Sequence, residues 1–209
     1  MTDFARAERR QLADLLHHVG PELATVCAGW TTRDLAAHLV VRERRPDAMI
    51  GSVIPPLAGH GEHVRLAKLA EPYPELIRQL RTPPWWSLIS NPLTDALTNT
   101  VEFFIHHEDV RRAMPGSAPR DLDPGEQQAI WRTTRLTARL VLRKVGFPVL
   151  VEATGFGTLR VGDGEPRATL TGDPGELALF VSGRQRVAEV DVTGEPDAVA
   201  KLTTAQIGM

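Results

Sequence analysis

The segment T-N-T-V-E-F-F-I-H-H-E-D-V-R-R-A, residues 98–113, holds the densest group of chemically competent side chains in the sequence. Glu102 and His106 are four residues apart, so on a helix they share a face. Asp109, three residues further on, joins that face, as do Asn99 and Asp95 behind it. Leu97, Val101, Phe103, Phe104, Ile105 and Val110 surround this polar stripe. A carboxylate and an imidazole in such apolar surroundings are costly unless they are paired or hold a metal. Glu and His at this spacing can place an oxygen and a nitrogen about 2 Å from one divalent ion. A hydrogen-bonded Glu–His pair tying helices together fits the same pattern, and on this segment alone the two readings stand level.

His38 is the natural third ligand. It lies beside the apolar stripe of Leu35 and Leu39, so it can face the interior of a helical bundle. Asp34, one turn earlier, repeats the carboxylate–xxx–His spacing and can orient His38 from outside the ligand set. Nitrogen and oxygen donors of this kind suit zinc first, and nickel or iron as well.

Other candidates have plainer readings. His60-x-x-His63 has a ligand-like spacing but sits in a Gly-rich stretch that reads as a solvated loop. His17 and His18 end a helix, where imidazolium suits the negative end of the dipole. His107 points about 100° away from His106 and cannot share its ion. Glu108 is likewise off that face. Arg111 and Arg112 can bind an acidic substrate, or simply favour a helix end. Trp85 and Trp86 can wall a pocket or pack between elements. Cys27 has no His neighbour in sequence and reads as a small, buried apolar residue rather than a nucleophile.

The elements that must position these residues are helical up to about Gly146. Residues 3–19 form an amphipathic helix through Leu12, Leu15, Leu16 and Val19. A second starts after Trp30, capped by Thr31 or Thr32, and runs to about Arg45. Residues 61–81 are helical but interrupted at Pro72 and Pro74. Further helices span about 92–114 and 124–144. After Gly146 the period changes to short strands at 149–154, 158–161, 168–171 and 187–192. A helix from Asp173 to Val181 and a last one from Pro196 to about Thr203 complete the chain. The expected architecture is an N-terminal up-and-down four-helix bundle, residues 1–145, followed by a small α+β domain, residues 146–209.

Composition supports that division. All seven His and all four Trp precede residue 146, and 10 of the 17 Gly lie within residues 146–209. Lys+Arg number 24 and Asp+Glu 26, a formal charge of −2 over 209 residues. That balance argues against a nucleic-acid partner held by bulk charge. No apolar run is long enough for a membrane span, and the charged N-terminus is unlike a signal peptide, so a cytoplasmic location is expected. The single cysteine excludes an intramolecular disulfide framework.

W-T-T-R-D-L-A-A-H-L, residues 30–39, together with E-F-F-I-H-H-E-D-V-R-R-A, resembles the DinB-like metal-binding bundle. The similarity is greater to its actinobacterial branch, the mycothiol-dependent maleylpyruvate isomerase-like proteins. T-G-D-P-G-E-L-A-L-F-V-S-G-R resembles the sterol-carrier-like C-terminal domain of that branch. The resemblance implies that His38, Glu102 and His106 bind a divalent metal, with Asp109 at the family's trailing Asp. It also implies mycothiol as the cosubstrate thiol, in a transferase or isomerase acting on a small molecule. Three protein ligands leave positions open on the ion, where a bound thiol would become thiolate near neutral pH. Arg184, in S-G-R-Q-R, can clamp the carboxylate of a small anionic substrate or form an interdomain salt bridge. Two rival readings stand beside the enzyme: a non-catalytic module with a structural metal and an apolar groove, and a metal-free helical interaction protein.

Overall fold

The computed structural model describes residues 3–50, 58–84 and 92–207. Trp85 and Trp86, and the side chains of Asp95 and Leu97, lie outside the described residues. Two compact units emerge, Met1–Ser117 and Ala118–Met209.

The first unit is helical: α1 (Asp3–Val19), α2 (Thr32–Arg44), α3 (Pro46–Ile50), α4 (Ala58–Leu69), α5 (Tyr73–Arg81) and α6 (Pro92–Arg111). Helix α2 starts at a capping box, in which Thr31 Oγ1 accepts from the Asp34 N–H and the Asp34 carboxylate accepts from the Thr31 N–H. Two otherwise orphaned donors are satisfied in this way. Pro72 is the N-cap of α5 and Pro74 lies in its first turn, where a missing N–H costs nothing. Leu12 and Leu16 of α1, Leu35 and Leu39 of α2, Leu76 and Leu80 of α5, and Phe103 and Val110 of α6 meet in one core. A buried ion pair between Arg9 and Glu43 crosses this core, and Arg9 also donates to Leu80 O at 2.9 Å. The His60 segment is the first turn of α4 rather than a loop, and exposed His60 pairs with Asp47 at 2.8 Å.

The second unit holds α7 (Pro124–Leu142), a 3₁₀ turn (Arg143–Val145), β1 (Val149–Ala153), β2 (Gly157–Val161), β3 (Ala168–Gly172), α8 (Pro174–Val181), β4 (Asp191–Gly194) and α9 (Pro196–Thr204). The strands form one sheet in the order β2-β1-β3-β4. Strand β1 pairs antiparallel with β2 and parallel with β3, while β3 and β4 are antiparallel. Alternate residues Val149, Val151 and Ala153 point inward, joined by Leu159, Val161, Ala168 and Leu170. Trp131, Ala138, Val141 and Leu142 of α7 and Leu177, Phe180 and Val181 of α8 belong to the same core.

Two expectations need correction. The helix at 124–142 groups with the sheet, so the second compact unit begins at Ala118 and not at Gly146. Its apolar face is complementary to the inner sheet residues, and periodicity along one helix cannot tell which core that face will meet. The last strand begins at Asp191 rather than Val187. Residues 184–188 turn instead, with the Val187 and Ala188 N–H groups donating to Arg184 O. The fold class, helices followed by an α+β unit, is as expected. Among the described residues no helix is long and apolar enough to cross a membrane.

Candidate metal centre

Helix α6 carries Glu102, His106 and Asp109 on one face, and α2 presents His38 opposite them. Glu102 Oε1 lies 3.2 Å from His106 Nε2 and 3.7 Å from His38 Nε2. Nitrogen and oxygen donors bound tetrahedrally at about 2.0–2.2 Å sit roughly 3.3–3.6 Å from one another, so these separations bracket what one ion requires. One donor atom from each of the three residues lies within 4.8 Å of the other two. The residues present therefore fit a divalent ion. The His38 and Glu102 side chains keep 30% and 28% of their exposure, against 9% for His106, so solvent reaches the group from the His38–Glu102 side.

His106 is held by its other nitrogen. Its Nδ1–H donates to Asp109 Oδ2 at 2.9 Å, and Asp109 is fully buried. The ring is thereby oriented with Nε2 toward Glu102. Burial opposes charge on His106, but hydrogen bonds to Asp109, Cys27 and Glu102 outweigh it and hold its pKa well above the ordinary histidine value. Burial likewise opposes the Glu102 carboxylate, yet the Arg42 guanidinium and the two imidazoles hold its pKa well below the carboxylate range. For His38 burial wins, with Glu102 only partly offsetting it, and its pKa is lowered. Without an ion the group thus reads as an imidazolium, a carboxylate and a neutral imidazole.

Asp34 serves the terminus of α2 and pairs with Arg65 at 2.7 Å. Arg65 also lies over the Trp30 ring, which in turn packs 5.2 Å from the His38 ring. Asp34 and His38 are thus related through Arg65 and Trp30 rather than by the expected hydrogen bond. His107 faces away from the group and binds Glu8 of α1 at 3.0 Å. Both Arg111 and Arg112 donate to buried Glu108, so this pair of cations is not held out toward a ligand. Arg184 follows Gly183 at the end of α8, where its Nη1 donates to Ser182 O at 2.6 Å.

One contributor, Arg42, has no place in the sequence analysis, and another, Cys27, has a different role from the one expected there. Arg42 places Nε 3.2 Å from Glu102 Oε1 and donates from Nη1 to Asn99 Oδ1 at 2.8 Å. Its position four residues after His38 put it on the same face, a usable signal. Cys27 is half-buried, and its thiol donates to Asp109 Oδ2 at 3.2 Å. It is therefore part of a polar network and not the apolar filler that was expected. A separation of 82 residues between Cys27 and Asp109 leaves no local signal for that contact.

No family model and no curated protein matches the chain. Among solved structures, the crystal structure of the mycothiol-dependent maleylpyruvate isomerase is similar in fold, with a TM-score of 0.57 and 16% identity. The match covers 92% of this chain and 91% of that one.

Proposed function

We propose that this protein is a divalent-metal-dependent enzyme of the DinB-like class, using a small thiol of the mycothiol type in an isomerase or transferase reaction. The convergence of His38, Glu102 and His106, with the far nitrogen of His106 fixed by Asp109, carries the reading. Because Nδ1 and Nε2 diverge from one ring, Asp109 on the Nδ1 side cannot complete the coordination of an ion held at Nε2. Asp34 is likewise engaged elsewhere. Three ligands with open positions are the pattern of a catalytic rather than a closed structural site. A bound ion, zinc or else nickel or iron, would supply Lewis acidity and hold an incoming thiol as thiolate.

The residues divide the remaining work. Glu102 supplies the anionic donor, and Arg42 fixes its carboxylate. His38 supplies a neutral imidazole that needs no deprotonation. Trp30 forms a wall beside His38, and Asp109 orients His106. The fold likeness to a mycothiol-dependent isomerase supports a thiol cosubstrate.

Metal analysis followed by calorimetry with mycothiol tests the proposal. The metal-loaded protein should bind the thiol with release of protons, because coordination converts thiol to thiolate. Glu102→Gln should abolish thiol binding and lose the ion held between His38, Glu102 and His106 Nε2. A metal-loaded protein that ignores millimolar thiol would favour a structural metal instead.

A further inference from the structure

His106 has a second face. Its Nδ1 lies 2.9 Å from Asp109 Oδ2, and that same oxygen lies 3.2 Å from Cys27 Sγ. Sulfur, nitrogen and oxygen are all within 4.8 Å of one another. They come from two elements, α6 and the connection between α1 and α2. That connection is fastened by backbone hydrogen bonds: Val26 N–H to Asp109 O at 2.9 Å, Thr25 N–H to Trp30 O at 2.9 Å and Trp30 N–H to Cys27 O at 3.0 Å. The thiol is therefore held against α6 rather than carried on a loose loop. Asp109 is fully buried while Cys27 is half-buried, so an ion can reach the cluster past the sulfur.

We propose that Cys27, His106 Nδ1 and Asp109 form a second cation site, selective for thiophilic divalent ions such as zinc or cadmium. Thiolate, imidazole and carboxylate make a donor set that soft and borderline ions prefer, whereas the Nε2 face offers only nitrogen and oxygen. With bonds of about 2.0–2.3 Å, tetrahedral donors stand roughly 3.3–3.6 Å apart. The two separations from Asp109 Oδ2, 2.9 Å and 3.2 Å, are shorter because hydrogen bonds now link that oxygen to the other two groups. An ion replaces those hydrogen bonds: the S–H and Nδ1–H protons pass to solvent, and sulfur, nitrogen and Asp109 oxygen bind the metal. The two faces share one imidazole, so an ion on either side withdraws electron density from the other nitrogen. Binding at the two faces is consequently antagonistic, and reciprocally so.

The inference does not depend on the proposed activity. Cobalt(II) alone, added to the full chain, is the probe. A thiolate-to-cobalt charge-transfer absorption in the near ultraviolet is expected, absent in Cys27→Ser and retained in Glu102→Gln, which cripples only the Nε2 face. In the unmodified chain, cadmium should slow alkylation of Cys27 by iodoacetamide at least tenfold, a readout that stands if the serine variant folds poorly. Cobalt bound without a thiolate band, or alkylation at one rate with and without cadmium, overturns the second site. Failure of the Nε2 site appears differently, as a thiolate band accompanied by a cobalt stoichiometry that Glu102→Gln leaves unchanged.

Discussion

At the scale of single residues, the protonation of His106 controls metal uptake in the proposed site. Its raised pKa means that near neutral pH it carries a proton on Nε2 that an incoming ion must displace. Metal affinity should therefore climb with pH until it passes that raised pKa, then level off, with protons released as the ion binds. Competition titrations against a chromophoric chelator from pH 6 to 8 check this, and a flat profile contradicts it. The metal-free protein should show the opposite trend in stability. A group whose folded pKa is raised stabilises fully below its unfolded value, and the contribution fades as pH climbs through the folded one. Melting temperature measured in chelator should thus fall on the alkaline side. Asp109→Asn removes the acceptor that orients the ring, and metal affinity should drop by roughly 10- to 100-fold. Far-UV circular dichroism should remain unchanged in that variant.

At the scale of elements, α1 and α2 are joined by the buried Arg9–Glu43 pair, whose side chains are 3% and 1% exposed. Leaving one charge without its partner there should cost about 3–5 kcal/mol, so Glu43→Gln should melt well below the parent protein. The double change Arg9→Met with Glu43→Leu should recover much of that loss, because the desolvation cost of both ions disappears. Equal destabilisation in the single and double variants would refute the account. In the sheet, Gly194 has φ +133°, and a Cβ there would stand 2.8 Å from Ala168 Cα and overlap Arg167 O. Gly194→Ala should therefore destabilise the second unit by about 2 kcal/mol or more, since strain and a backbone clash add. Chemical denaturation monitored at the sheet unit measures it.

At the scale of the whole molecule, the division at Ser117/Ala118 makes a prediction that a division at Gly146 does not. Trp131, Ala138, Val141 and Leu142 form one wall of the core around the sheet. A fragment spanning 118–209 should unfold cooperatively, while 146–209, which lacks that wall, should not fold. The fraction of surface a chain can bury falls with its size, and the shorter fragment also loses the largest buried side chain in its core. Thermal denaturation of the two fragments decides between the boundaries. Because His38, Glu102, His106, Asp109 and Cys27 all precede residue 118, metal binding should be wholly absent from either fragment.

The helices, their caps and the alternation of the short strands were legible in the sequence, because each follows from local period and local hydrogen bonding. The shared face of Glu102, His106 and Asp109 was legible for the same reason: helix geometry alone sets it. His38 could be named because its own apolar neighbours mark which way it points. Tertiary structure decided the rest. Asp34 turned to the helix terminus and Arg65, because a capping box forms within four residues while the pairing partner lies on another helix. Helix α7 joined the sheet because an amphipathic face specifies that it must be buried, not against what. Cys27 entered the His106–Asp109 network through a chain reversal between α1 and α2, fastened by backbone hydrogen bonds to α6. Contacts made across 82 residues leave no trace in periodicity or spacing, since only the folded backbone brings those atoms together.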